Sequence, residues 1–80
     1  QIQPDEPILY NTLGSTYAMQ GETPQALAAF RRAVELNPTE PYYHLNLARL
    51  YQQMGDEKLA EQHFHAYEDL QGASIDRRPE

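Results

Sequence analysis

Pro38-Thr39-Glu40-Pro41 decides how this chain is read, because Pro4-Asp5-Glu6-Pro7 nearly repeats it 34 residues earlier, from position 4 to position 38. Pro, Glu and Pro recur at the same offsets, and only Asp5/Thr39 differs. Proline is tolerated at the first helical position, where its missing N–H would have no intrahelical partner anyway. Each copy therefore reads as the stop of one helix and the start of the next. The match extends upstream, since Ile2-Gln3-Pro4 aligns with Leu36-Asn37-Pro38, itself a helix end. The chain is expected to begin in the last turn of an earlier helix, and its leading Gln fits an array cut at that point.

Between the two marks the pattern is helical. Tyr10, Leu13, Gly14 and Tyr17 recur at i, i+3, i+4 and i+7, one face of an amphipathic helix from Pro7 to Gln20. Gly14 lacks a side chain, so a second helix can approach closely there. Gly21 ends the first helix, because glycine adopts the left-handed conformation without a steric cost. Thr23-Pro24 restarts the chain, with Thr23 expected as N-cap and Pro24 as the first helical residue. The second helix is expected to reach about Leu36 and to bury Ala26, Phe30, Ala33 and Val34, with Leu27 beside them. The short loop around Gly21 forces the two helices antiparallel.

The same grammar returns after Pro41. His44, Leu47, Ala48 and Tyr51 stand where Tyr10, Leu13, Gly14 and Tyr17 stood, and Gly55 matches Gly21. Asp56 takes the N-cap role expected of Thr23, Ala60 and Phe64 match Ala26 and Phe30, and Leu70 matches Leu36. The sequence predicts an all-α chain of two helix-turn-helix units, four helices in all.

Composition bounds the function. Eighty residues make one domain at most, or a piece of one. A domain that small buries only about 60% of its unfolded surface. There is no cysteine, and so no disulfide or thiol chemistry. No apolar run is long enough to span a bilayer, and the N-terminus is unlike a signal peptide. A net charge of -6 argues against general nucleic-acid binding, which needs a basic stripe. No nucleic-acid or membrane partner is expected, and a cytoplasmic setting is only the default.

Taken together, Tyr10, Leu13, Gly14, Tyr17, Gly21, Ala26, Phe30, Ala33 and Pro38, followed by Leu47, Ala48, Tyr51, Gly55, Ala60 and Phe64, resemble the tetratricopeptide repeat family. The resemblance covers nearly all of the chain up to about Gln71. It implies an α-solenoid, with residues 7–40 as one repeat and 41–72 as the next. Residues 1–6 are then the end of a preceding repeat or a linker, and 73–80 a polar tail. The second unit departs from the family's pattern. His44 replaces an aromatic residue, Tyr67 stands where the first unit has Ala33, Glu68 where it has Val34, and Gly72 where it has Pro38. In the family the small residue at the Ala33 position lets the next repeat approach, so Tyr67 is expected to obstruct it. Gly72 is expected to mark the end of the array.

No catalytic constellation is visible. His63 and His65 are two apart and fall on different faces of one helix, and His44 lies a helix and a loop away. Without a further ligand at recognised spacing they read as packing or solvent-facing residues rather than a metal site. Glu61 and His65, at i and i+4, are placed for a weak pair. Gly14, Gly21 and Gly55 belong to no strand-loop-helix unit, so they form no phosphate-binding loop. Arg31-Arg32 reads as a solvated face near a helix C-terminus. Neither enzyme activity nor a cofactor is expected of these residues.

The remaining surface lies on the far side of the first helix of each unit. Ile8, Asn11, Thr12, Ser15 and Met19 lie there in the first unit, and Tyr42, Leu45, Asn46, Arg49 and Gln53 in the second. The resemblance implies that these helices line a concave groove that grips a partner peptide. Asn46 and Arg49 would donate hydrogen bonds, and Ile8, Tyr42 and Leu45 would supply apolar contact. Family members that bind chaperones clamp a C-terminal carboxylate with Lys and Arg alongside Asn. Of the matching Asn11, Ser15 and Asn46, only Asn46 conforms, so such a clamp is not expected here. The expected function is protein–protein interaction or scaffolding. Two alternatives stand beside it. One is self-association as a homodimer through Leu9, Tyr10 and Leu13, the face an upstream repeat would cover. The other is an accessory arm on an enzyme such as a glycosyltransferase.

Overall fold

The computed structural model describes residues 6–74. Over that span the chain forms α1 (Pro7–Met19), α2 (Thr23–Leu36), α3 (Pro41–Met54) and α4 (Glu57–Ser74). The main helix contacts follow chain order: α1 on α2, α2 on α3, and α3 on α4. The result is two stacked hairpins.

The two hairpin turns are chemically the same. At the first, Gly21 has φ 77°, its N–H donates to the Ala18 carbonyl at 3.1 Å, and the Glu22 N–H donates to the Tyr17 carbonyl at 2.9 Å. At the second, Gly55 has φ 85°, its N–H donates to Gln52 O at 3.1 Å, and the Asp56 N–H donates to Tyr51 O at 2.9 Å. This pair of bonds satisfies carbonyls that a helix end would otherwise leave unpaired. A left-handed residue at each turn is what requires glycine.

The helix starts differ between the units. Asp56 caps α4, with Oδ1 accepting the Leu59 N–H at 3.3 Å. Thr23 does not cap α2: it is already helical, Glu22 holds the cap position, and no side chain bonds there. Pro24 is still within the first turn, so the boundary moves by one residue and Thr23 loses its capping role. At the joint between units Glu40 is extended (φ -83°, ψ 112°), as a residue before proline is driven to be, and Pro41 begins α3. The Glu40 carboxylate accepts the Tyr42 N–H at 3.3 Å.

The last helix does not end at Gly72, where the polar tail was expected to begin. α4 runs through it to Ser74, so Ala73 and Ser74 belong to the helix rather than to a tail. One interior glycine costs a helix only about 1 kcal/mol, and no proline follows at the position of Pro38. The rest of the expected tail, and the expected helix remnant at residues 1–5, lie outside the described residues. The expected Glu61–His65 pair is absent, and the ion pair among the described residues is Arg32–Glu35 at 3.3 Å.

The core is built from small residues against large ones. Ala26, Phe30, Leu47, Leu50, Tyr51 and Ala60 are buried together, with Tyr17, Leu27, Val34 and Phe64 packed on them. Ala29 and Ala33 are buried as well, Ala29 being an addition to the expected set. Phe30 packs against Gly14. A Cβ at residue 14 would lie 2.6 Å from ring atoms Cδ1 and Cε1 of Phe30. In the second unit Ala48 occupies the matching position, and its partner Phe64 is only half-buried.

The two units also differ in what covers them. In α3 the residues Tyr43, His44, Leu47, Leu50 and Tyr51 are all buried. Their register mates in α1 are Leu9, Tyr10, Leu13, Thr16 and Tyr17, and none of these is buried. Leu47 is 2% exposed and Leu13 is 44% exposed at the same repeat position. The difference is α2, which lies against α3, whereas no described helix lies on that side of α1.

Replacing Gly14 with Ala should destabilise the chain. The overpacking cost of about 1–3 kcal/mol outweighs the roughly 1 kcal/mol that Ala gains over Gly within a helix. A lower urea midpoint is the expected result, and an unchanged or higher one would mean that Phe30 yields freely.

Candidate functional site: the groove between α1 and α3

α1 and α3 approach each other across the two units at the Asn11–Asn46 bond, and an open groove lies between them. Its best-formed part is a cavity of about 280 Å³ lined by Ser15, Ala18 and Met19 of α1 and Asn46, Arg49, Leu50 and Gln53 of α3. Phe30 from α2 also lines it. Phe30 and Leu50 are each only 4% exposed, so they form its floor. The rim is polar and the floor is hydrocarbon, a division typical of ligand sites.

Of the residues singled out from sequence, Ser15, Met19, Asn46, Arg49 and Gln53 meet at this cavity. Asn11 joins them through Asn46, whose Nδ2 donates to the Asn11 Oδ1 at 2.8 Å. This bond spans the two repeats and uses one donor hydrogen of Asn46. The Asn46 Oδ1 and the Asn11 amide hydrogens stay available, so the pair offers an acceptor and donors side by side. Ile8, Thr12, Tyr42 and Leu45 do not line the cavity. Ile8 is exposed near the start of α1, and Thr12 is exposed with its carbonyl accepting from Thr16 Oγ1 at 3.1 Å. Leu45 is half-buried. Tyr42 tilts its ring against Tyr67 of α4, with centroids 5.9 Å apart. Tyr67, expected to obstruct a following repeat, is thus packed against α3 of its own unit.

Arg49 is the charged residue among the cavity's lining, and it makes no ion pair among the described residues. The other charges sit elsewhere. Arg32 bridges Glu35 and lies over the Tyr10 ring at 5.9 Å, on the outer side of the first hairpin. The Tyr43 hydroxyl is pushed above its ordinary value by burial and then by the Glu40 carboxylate, which keeps it neutral in the core.

The sequence missed the floor of the cavity and one polar cluster. Ala18, Phe30 and Leu50 read as core, which they are, and only the crossing of α1 and α3 over α2 brings them to a groove. The cluster is His44 with His63: their Nδ1 atoms are 3.1 Å apart, and His44 Nε2 is 2.8 Å from the Pro38 carbonyl oxygen. Spacing within one helix cannot reveal a pair shared by α3 and α4. The register could have done so, because His44 and His63 match Tyr10 and Ala29, which line one cavity in the first unit. Among the described residues no group of three or more His, Cys, Asp or Glu could hold a metal ion. No described helix is long and apolar enough to cross a membrane.

Comparison with known proteins agrees with the repeat geometry. A family profile described as TPR repeat matches residues 16–55, and one described as tetratricopeptide repeat matches residues 41–71. The chain is 32% identical over 72 residues to a Caenorhabditis elegans protein named Protein O-mannosyl-transferase F38B6.6. That stretch is 90% of this chain and 10% of the relative, so the chain spans about a tenth of the relative's length. No solved structure matches the chain. Repeats of this kind are protein-interaction modules and are typically non-catalytic. With matched hairpin turns, a small-on-large core and both profiles agreeing, the chain belongs to the tetratricopeptide repeat family.

Proposed function

We propose that the chain binds an extended or helical peptide segment of a partner protein in the groove between α1 and α3. The observation that carries this reading is the cavity itself, where polar side chains from both repeats surround an apolar floor of Phe30 and Leu50. An apolar side chain of the partner fills the cavity. Its backbone meets the Asn11–Asn46 pair, and Arg49 and Gln53 bond it from the rim. Ile8, Thr12, Tyr42 and Leu45 extend the contact along the helices as flanking surface. The relative's name supports a setting for this activity: the repeats serve as a binding arm of a larger glycosyl-transferring protein, with the chemistry done outside these residues.

Peptides selected from a random library against the intact chain, then measured by calorimetry, test the reading. Arg49→Ala combined with Asn46→Ala should weaken the selected peptides by at least about tenfold, since hydrogen bonds to charged groups contribute about 1.5–3 kcal/mol. Arg49 is exposed, so Arg49→Ala alone should leave the urea midpoint in place. Unchanged affinity in the double variant would remove the groove as the binding surface.

The exposed face of α1 favours a second reading. Leu9, Tyr10 and Leu13 hold the register positions that α3 buries, and a second copy of the chain could cover them. A dimer stacked through these faces would lengthen the array. Sedimentation should then show a concentration-dependent dimer that Leu13→Glu abolishes, and a wild-type monomer at high concentration would count against it.

A further inference from the structure

We propose that His44 and His63 form a one-proton clasp that fastens α4 to α3 and opens on acidification. The argument starts from what each atom can do. The Pro38 carbonyl only accepts, so His44 Nε2, at 2.8 Å, carries a proton and donates it. Across the 3.1 Å gap to His63, two lone pairs would repel, and so would two N–H groups. One proton therefore lies between the two Nδ1 atoms. With His44 neutral, its Nδ1 accepts and His63 Nδ1 donates. The tautomers of both rings are thereby fixed: Nε2–H on His44 and Nδ1–H on His63.

The same geometry sets how many protons the pair can hold. A first added proton leaves an N–H at both Nε2 atoms and one proton between the two Nδ1 atoms, so the pair carries one positive charge and both hydrogen bonds survive. A second would have to enter between the two Nδ1 atoms, where one proton already lies. It would place two N–H groups and two cations face to face, and it can do so only if the rings part. The surroundings reinforce this limit. His44 is 8% exposed, and the rings stack with centroids 5.4 Å apart. Tyr51 of α3 stacks on His63 at 5.7 Å. From α2, Arg31 and Glu35 share with His63 the cavity between the units. Of these two, Glu35 has its Oε1 engaged by Arg32 at 3.3 Å. His63 is accordingly held below its ordinary value of 6.5, first by burial and then by the charge of His44.

The sign of the effect follows. A group whose folded pKa lies below its unfolded one takes up more protons when the chain unfolds. Its contribution is present in full above about pH 6.5 and is lost as pH falls through that value toward the folded one. The unfolded chain can protonate both rings, and the clasp can accept only one added proton. The Pro38 carbonyl belongs to the joint, so the clasp ties the joint, α3 and α4 together, and acid loosens all three. This device does not rest on the peptide-binding reading.

The repeat supplies its own control. His44→Tyr with His63→Ala installs the register mates Tyr10 and Ala29 of the first unit. In wild type the unfolding constant should rise between about pH 6.5 and 5 more steeply than in this variant, by up to about tenfold per pH unit for one proton. His65→Gln, at an exposed position of α4, should leave the wild-type slope unchanged. Equal slopes in wild type and the double variant would overturn the proposal. If the double variant fails to fold, imidazole nitrogen NMR of the wild type decides. At pH above about 7.5, His44 should be the Nε2–H tautomer and His63 the Nδ1–H tautomer. An Nε2–H tautomer on His63, with two independent titrations, would overturn it.

Discussion

The contact of Phe30 with Gly14 is the constraint on which the other contacts depend. A ring seated where a Cβ would be 2.6 Å away fixes both the separation and the register of α1 and α2. With that register set, the turn at Gly21 has to be short and left-handed, and its two backbone bonds supply the closure. The floor of the groove is the same ring seen from its other side. Stability and candidate function thus meet in one side chain. The second unit satisfies the constraint more loosely, with Ala48 in place of Gly14 and a half-buried Phe64.

The second unit compensates by filling its own face. Where the first unit has Ala29 and Ala33, the second has His63 and Tyr67. Both bulky rings turn toward α3, His63 onto His44 and Tyr51, and Tyr67 onto Tyr42. Substitutions that look like losses of the repeat pattern are new contacts within the hairpin. They also bring two imidazole rings within hydrogen-bond distance of each other across the hairpin.

Much of this was legible in the sequence, for identifiable reasons. Gly14, Phe30, Gly21 and Gly55 carry local or single-contact requirements that spacing expresses directly. Leu13 and Leu47 occupy the same pattern position, and no periodicity can tell that one is covered and the other bare, because the difference lies in the neighbouring helix. Thr23 and Gly72 show the limit of end signals, which move by a residue or are overridden when propensity costs are small. In the groove, the polar rim followed from the helical wheel, whereas the floor came from core residues. The histidine pair was hidden because it joins two helices across a turn.

The thinness of the molecule bears on how it can hold a ligand. Its Cα trace measures 45 × 35 × 17 Å, so along its shortest axis it is a slab of packed helices, each about 10 Å wide. Such a slab cannot surround a guest, and contact is confined to one side. Affinity must then accumulate along the surface rather than through depth. Each added repeat lengthens the contact by one more first helix. Under the proposed groove binding, a short ligand spanning two such helices would exchange readily, whereas one long enough to reach further repeats would gain residence time from every additional station, without any single station being strong.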